Sequence, residues 1–128
     1  MTNEPKVMKK LTEKEEIIMA IIWQQGQAFV KEVRVLLPEP KPHINTISTT
    51  MRKMVDKGFL KVEDFGTTHR YHPAISKEDY TSRIISPRLS GLFGDSYKNV
   101  VAFFVEEEKL SVDDLKDLIR MIENKDSK

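Results

Sequence analysis

Apolar residues recur at helical spacing in several separate stretches of this chain. A first helix is predicted after Thr12, because Thr12 and Glu15 have the spacing of a capping box, and its apolar stripe stops before Gly26. A second, shorter helix is predicted from Val30 to Leu37. Residues 1–10 carry no such pattern, so we expect them to form an irregular lead-in.

The stretch from His43 to Gly58 has the most distinct two-sided pattern. Ile47, Met51 and Met54 form one apolar side at helical spacing. The opposite side carries small hydrogen-bonding groups near its start and cations further along, namely Asn45, Thr46, Ser48, Thr49, Arg52 and Lys53. Three prolines between residues 38 and 42 make a stiff corner before this helix. Two helices joined by a rigid turn are typical of a helix-turn-helix.

An alternating pattern then predicts a β-hairpin. Residues 59–64 form the first strand, residues 65–68 the tip with Gly66, and residues 69–73 the returning strand. Three helices followed by a hairpin indicate a winged helix. Small donors suit base edges and cations suit phosphates, so the polar side of the third helix would lie in a DNA groove. We expect Lys61, His69 and Arg70 of the hairpin to contact the sugar-phosphate backbone. The alternative is a surface helix that is merely rich in threonine.

Residues 75–128 carry three more amphipathic stretches, which begin after Ser76, Ser96 and Ser111. Pro87 either kinks the first of these helices or begins its successor. Some fifty residues bury too little surface to be stable alone, so we expect a second copy to cover them. The expected dimer contacts are Leu92, Phe93, Val101, Phe104, Leu110, Leu115, Leu118, Ile119 and Ile122. Alternatively, these helices fold back onto the winged helix.

The predicted fold class is therefore mainly α with a small β-hairpin. A winged helix-turn-helix domain over residues 1–74 is followed by a C-terminal helical dimerisation arm over residues 75–128. Charged residues are unevenly distributed between these two parts, which is consistent with two roles. Residues 1–73 hold 12 Lys and Arg against 9 Asp and Glu, whereas residues 74–128 hold 9 Lys and Arg against 11 Asp and Glu. A basic N-terminal part mildly favours nucleic acid as its partner.

Other features narrow the class of protein. The chain has no cysteine, its longest apolar run (Ile17 to Trp23) is too short to span a bilayer, and its start lacks a signal-peptide core. We therefore expect a cytoplasmic protein without membrane insertion. His69 and His72 would point to opposite faces of a strand, so no metal site is indicated.

Catalysis is not indicated either. We find no nucleophile–base arrangement, no phosphate-cradling loop and no inward carboxylate pair, so an enzyme or a cofactor is not expected. The remaining functions are binding functions. One is a homodimeric repressor on double-stranded operator DNA. The other is a winged helix that docks proteins without sequence-specific DNA binding, which the net charge of only +1 allows.

The residues also resemble the penicillinase repressor (BlaI/MecI) family. The resemblance covers nearly the whole chain and includes Lys10-Leu11-Thr12, Glu15, Asn45-Thr46-Ile47, Lys57-Gly58, Tyr71-His72-Pro73, Leu92-Phe93-Gly94 and Glu106-Glu107-Glu108-Lys109-Leu110. It implies a bacterial homodimer with an N-terminal winged helix. Such a repressor binds a palindromic operator and controls a β-lactam-resistance-like operon.

The resemblance also implies a release mechanism. In that family, a membrane sensor-protease triggers cleavage in the dimerisation arm, and the matching bond here joins Phe103 to Phe104. The best-known members carry Asn before this bond. Two further departures are Thr67, where the family often has Arg, and Phe29, where a hydroxyl usually caps the second helix. The C-terminal Cys pairs of the related copper-responsive repressors are absent.

Overall fold

The structure is a computed structural model that describes residues 10–126. Its elements in chain order are α1 (Glu13–Gln25), β1 (Ala28–Phe29), α2 (Val30–Leu36), α3 (Ile44–Asp56), β2 (Leu60–Phe65), β3 (Thr68–Pro73), α4 (Lys77–Tyr80), a π-helical turn (Thr81–Ile85), α5 (Ser86–Leu92), α6 (Tyr97–Glu106) and α7 (Val112–Asp126). The predicted fold class, mainly α with a small β element in a winged helix, is confirmed. The lead-in predicted for residues 1–10 lies, apart from Lys10, outside the described residues.

The chain divides between Ile85 and Ser86 into two compact units. The core of the first unit includes Ile75, Tyr80 and Ile84, so it extends past the winged helix itself. The predicted domain boundary after residue 74 stays a prediction.

Local hydrogen bonds explain where the first and third helices begin. The Glu15 backbone N–H donates to Thr12 Oγ1 at 3.2 Å, and the Thr12 N–H donates to Glu15 Oε1 at 2.9 Å, which completes the predicted capping box. The third helix begins after His43, whose Nδ1 accepts from the Asn45 N–H at 3.0 Å. An imidazole thus satisfies a backbone donor that a hydroxyl or carboxylate more often satisfies.

The core of the first unit is assembled from one side of each helix and from the sheet. Ile18, Met19 and Ile22 of α1 are buried, as is Val33 of α2. The apolar side predicted for α3 is buried in full, since Ile47, Met51 and Met54 are all at most 1% exposed. Burial of this side fixes which residues of α3 face solvent.

The sheet has three antiparallel strands in the order β1-β3-β2, one more than predicted. The added strand β1 pairs Ala28 with Tyr71 and Phe29 with Arg70. Two residues cannot show the alternation that identifies a strand, so this pairing was not visible in the sequence. The tip is also shorter than predicted, because β2 continues to Phe65 and leaves Gly66 and Thr67 for the turn. Gly66 has a φ of 78°, which glycine adopts readily.

The segment after the sheet is tied to the start of the chain. The Leu11 N–H donates to the Tyr80 hydroxyl at 2.9 Å, and Trp23 Nε1 donates to the Ile75 carbonyl at 2.9 Å. Ser76 caps α4 as predicted, by accepting from the Asp79 N–H. A π-helical turn follows α4, and Pro87, at the start of α5, has no N–H to donate to the carbonyl four residues earlier.

Side chains cap the starts of α6 and α7, the last two helices of the second unit. Ser96 accepts from the Asn99 N–H at the start of α6, and Ser111 and Asp114 exchange hydrogen bonds of 3.0 Å at the start of α7. At the end of α6, Glu108 adopts a φ of 60° and the Lys109 N–H donates to the Phe104 carbonyl. This closing pattern satisfies carbonyls that a helix end otherwise leaves free.

No helix within residues 10–126 is both long and apolar enough to cross a membrane. In the same part of the chain, no three His, Cys, Asp or Glu side chains converge as metal ligands would.

Candidate nucleic-acid interface

Helix α3 presents a polar face whose centre lies opposite its buried side. Asn45, Thr49, Arg52 and Lys53 are exposed, and they lie roughly opposite Ile47, Met51 and Met54 around the helix. All four were predicted to contact DNA. The helix thus presents an amide, a hydroxyl and two cations to solvent along one face.

Two other residues predicted to contact DNA lie at the edges of this face. Ser48 is half-buried and borders a groove between α3 and the hairpin, together with Asn45 and Arg52. Thr46 is exposed on the other edge, where it borders a cleft beside the prolines that precede α3. Contact by Thr46 therefore requires DNA to extend round that edge of the helix.

The hydroxyl of Thr49 has a defined orientation. Thr49 Oγ1 donates to the Asn45 carbonyl at 2.9 Å, and Thr50 Oγ1 donates to the Thr46 carbonyl at 3.0 Å. A hydroxyl has a single proton, so Thr49 in this orientation offers solvent its oxygen lone pairs and its methyl group. These groups suit a base-edge amino donor and a thymine methyl.

The hairpin, or wing, carries the other three residues predicted to contact DNA. Lys61 is exposed and forms no ion pair within residues 10–126. His69 Nδ1 lies 3.5 Å from Asp64 Oδ1 across the two strands. Its position next to the groove that Ser48 borders places it near α3.

Arg70 is the most strongly engaged of the wing residues. Its Nη2 donates to Glu63 Oε1 at 2.8 Å, and its guanidinium carbon lies 4.8 Å from the centre of the Phe65 ring. Glu63 and Arg70 are directly paired in the sheet register. The charge of Arg70 is thus balanced locally, so Lys61 is the freer cation of the wing.

A cation that was not predicted to contact DNA borders the groove beside α3. Lys31, on the first turn of α2, borders the same groove as Asn45, Ser48 and Arg52. Strand β1 explains this position, since pairing of Phe29 with Arg70 brings the start of α2 to the wing. The Phe29 N–H donates to Glu32 Oε1 at 2.9 Å, which supplies a cap where Phe29 has no hydroxyl. Thr67 and Thr68 of the wing also border this groove.

The residues predicted to form a dimer lie in the second unit, and most are exposed. Leu92 is 81% exposed, and Val101, Leu118, Ile119 and Ile122 are also exposed. Phe93, Phe104, Leu110 and Leu115 are half-buried. Among the apolar side chains described in this unit, Val100 alone is buried.

The predicted cleavage bond lies within a helix. Phe103 and Phe104 are both in α6, which ends at Glu106. The Phe103 ring lies 5.4 Å from the Phe93 ring and 5.4 Å from the Phe104 ring, measured between centroids. A protease that needs extended substrate would have to open this turn of α6 first.

Comparison with known proteins identifies the family. The profile of the family described as penicillinase repressor matches residues 11–124. The chain belongs to the penicillinase repressor family. The resemblance inferred from the sequence is thereby confirmed, and the matched range extends through both units.

Two individual relatives match over most of their lengths. The penicillinase repressor of Bacillus licheniformis is 24% identical over 119 residues, which cover 92% of this chain and 93% of that protein. An uncharacterized 16.5 kDa protein in the ptsI 3′ region of Latilactobacillus sakei is 25% identical over 114 residues, covering 88% of this chain and 78% of that protein.

Two solved structures are also similar to this member of the penicillinase repressor family. The solution structure of the DNA-binding domain of the repressor BlaI is 26% identical, covers 62% of this chain and 94% of its own, and has a TM-score of 0.48. The CopR repressor structure is 29% identical, covers 53% of this chain and all of its own, and has a TM-score of 0.44.

Proposed function

We propose that this penicillinase repressor family member is a homodimeric transcriptional repressor that binds a palindromic operator in double-stranded DNA. The observation that carries the proposal is the exposed polar face of α3, with Asn45, Thr49, Arg52 and Lys53 held outward by a fully buried opposite side. A repressor of this kind acts where bacterial DNA is, in the cytoplasm. It needs no cofactor and no catalytic group.

Within the interface we assign base reading to Thr46 and Thr49, and phosphate contacts to Arg52 and Lys53. Thr49 lies near the centre of the exposed face and Thr46 at its edge, so Thr49 carries the larger share. Asn45 and Ser48 approach the DNA beside them. Short side chains near the helix start reach base edges, whereas the longer cations reach the backbone on either side.

The wing contacts the backbone next to that groove. Lys61 is free to hold a phosphate, and His69 adds a hydrogen-bond donor. Arg70 contributes less, because Glu63 already accepts two hydrogen bonds from its guanidinium.

The second unit serves dimerisation. Its exposed leucines, valines and isoleucines form more apolar surface than a single short helical unit normally leaves in water. A second copy of the chain buries this apolar surface. The contacts of the dimer are made by Leu92, Phe93, Val101, Phe104, Leu110, Leu115, Leu118, Ile119 and Ile122. A twofold dimer carries two α3 helices and therefore suits two half-sites of a palindrome.

Release of the operator follows from dissociation of the dimer. Two half-sites held together bind far more tightly than one, so an event that opens the dimer also lowers DNA affinity. The family resemblance favours cleavage at Phe103–Phe104 by a membrane sensor-protease, with a β-lactam-resistance-like operon as the target. The position of this bond inside α6 makes local opening of that helix part of the mechanism.

The test is a binding titration of the full chain on DNA from upstream of its own gene, repeated at several salt concentrations. Each phosphate contact releases counterions, so the logarithm of the affinity should fall linearly by about 0.9 per contact with the logarithm of salt concentration. A scrambled duplex of equal length is the control. An affinity that does not respond to salt, or no binding, would instead favour a protein-docking role, for which the exposed Val35 and Leu36 of α2 offer a surface.

A further inference from the structure

A cleft in the first unit lies beside the proposed DNA interface and, among its described lining residues, shares Thr46 with it. It lies between α1, the proline-rich corner after α2 and the first half of α3, and its volume is about 150 Å³. Its walls are mainly apolar, among them Ile17, Leu37, Pro40 and Ile47. Lys14 and Thr46 supply polar groups at its border.

The corner that forms one wall is held in place by hydrogen bonds. Lys41 Nζ donates to the carbonyls of Arg34, Val35 and Leu37 at 3.1, 2.9 and 2.7 Å. Arg34 Nε in turn donates to the Pro42 carbonyl at 2.9 Å. The corner is thus fixed to the end of α2, and its short proline rings have no freedom to fold across the cleft. This wall of the cleft is therefore held in position by the end of α2.

The border of the cleft carries a positive charge that favours an anionic ligand. Lys14 is exposed and forms no ion pair within residues 10–126. The described side chains that line the cleft include no carboxylate. A lysine at such a place keeps its stem against apolar surface and its ammonium in water, so an anionic group at the mouth meets an unpaired cation.

We propose that this cleft binds a small aromatic monocarboxylate. An apolar cavity of about 150 Å³ is large enough to take up benzene. The ring would occupy the space between Ile17, Pro38 and Pro40, which are exposed apolar residues of the lining, and the carboxylate would lie at the mouth beside the Lys14 ammonium. Because Thr46 of α3 also borders the cleft, the bound ring lies next to the helix that we propose reads DNA.

Benzoate is the probe that tests this site. The full chain is titrated with sodium benzoate and, in parallel, with neutral benzamide, and amide chemical shifts are followed. Saturable shifts are expected around the cleft, with benzoate bound up to about fivefold more tightly than benzamide, the range of a solvent-exposed ion pair. No DNA is present, so this experiment can fail without any bearing on the repressor proposal.

Three variants distinguish binding in the cleft from nonspecific attraction of benzoate to cations on the surface. Ile17→Trp fills the cleft and should abolish saturable binding of both probes. Lys14→Met should leave the affinity for benzamide unchanged and should lower the affinity for benzoate to that of benzamide. Lys77→Met, which removes a cation on α4, should change neither.

The proposal is overturned by shifts that never saturate, or by benzoate affinity that stays the same in Lys14→Met. Equal binding of both probes to the unmodified chain also overturns it. Should Ile17→Trp fail to give a folded spectrum, Lys14→Met decides the matter, since Lys14 is an exposed residue whose replacement leaves the core intact.

Discussion

Lys57 Nζ donates a 2.7 Å hydrogen bond to Glu15 Oε2 and thereby joins the end of α3 to the start of α1. Glu15 is only 4% exposed, and its other oxygen accepts from the Thr12 N–H of the capping box. One carboxylate therefore stabilises the beginning of the first helix and fixes the end of the helix that we propose reads DNA.

This pair predicts a pH dependence of stability. Burial raises the pKa of Glu15, but the hydrogen bonds from Lys57 and Thr12 and the nearby ammonium charge outweigh burial, so the pKa lies below its usual 4.5. A carboxyl with a lowered folded-state pKa contributes stability above its unfolded-state pKa and loses it as the pH falls through the folded-state value. Glu15→Gln should cost about 1–3 kcal/mol of unfolding free energy at pH 7 and much less at pH 3.

Urea denaturation of both proteins across this pH range provides the measurement. Glu16→Gln is the matched control, because Glu16 is the next residue and also has a cationic neighbour, with 3.6 Å between Glu16 Oε2 and Lys10 Nζ. The side chain of Glu16 is far more exposed than that of Glu15. Glu16→Gln should change the free energy of unfolding by less than about 0.5 kcal/mol. A Glu15→Gln cost that is equal at pH 7 and pH 3 would show that the charge of Glu15 is not what stabilises the fold.

The central position of Thr49 predicts a change of sequence preference. Thr49→Val keeps the shape of the side chain and removes the oxygen, so discrimination at one base position should fall by about 1–3 kcal/mol. Binding to single-base operator variants measures this change. Thr50→Val is the control, since Thr50 makes the same hydrogen bond to its own helix but lies half-buried on another side. If Thr49→Val loses affinity equally for every operator variant, Thr49 does not read a base.

Phosphate contacts predict effects that do not depend on sequence. Lys53→Gln should weaken binding to all duplexes alike and reduce the slope of log affinity against log salt by about 0.9. Lys77→Gln, on α4, should leave the slope unchanged. A Lys53→Gln variant with an unchanged slope would place Lys53 away from the backbone.

The pairing of Glu63 with Arg70 predicts a gain rather than a loss. Glu63→Gln removes the carboxylate that balances Arg70, so the freed guanidinium should add to phosphate binding and increase the affinity for duplex DNA. Titration at low salt, where surface charge matters most, is the measurement. Asp117→Asn, which removes an equal charge from α7, separates a local effect from one of net charge. A Glu63→Gln variant that gains no more than Asp117→Asn would place the wing away from DNA.

The exposed side of α7 predicts a change of oligomeric state. Ile119 is 54% exposed in the single chain, so Ile119→Ser should have little effect on the fold of one chain. In the proposed dimer the same change removes buried apolar surface and should raise the dissociation constant by about tenfold or more. Sedimentation equilibrium measures it, with Lys116→Ser on the same helix as control. Ile119→Ser protein that dimerises as tightly as the unmodified chain would move the interface elsewhere.

Much of this fold was predictable because its signals are local. Thr12 and Glu15 mark the start of α1, Ser111 and Asp114 mark the start of α7, and the spacing of Ile47, Met51 and Met54 gives the buried side of α3. Each of these patterns lies within one or two turns of a helix, where residue spacing determines which side chains share a face.

The parts that escaped prediction depend on contacts between distant residues. Strand β1 exists because Ala28 and Phe29 pair with Tyr71 and Arg70, some forty residues away. The position of Lys31 beside α3 follows from that pairing. The engagement of Arg70 by Glu63 depends on the register of the hairpin, which the two-residue turn at Gly66 and Thr67 sets.

We propose that the exposed face of α3 lies against duplex DNA, and the absence of cysteine from the sequence makes a direct test possible. Thr49→Cys introduces a single thiol that can carry a short photocrosslinker. Thr81→Cys is the matched control, because Thr81 is also exposed and donates its hydroxyl to the carbonyl four residues earlier. On irradiation with the upstream duplex, we expect label at position 49 to crosslink to DNA and label at position 81 not to crosslink. Equal crosslinking from both positions, or none from position 49 while the protein is bound, would contradict it.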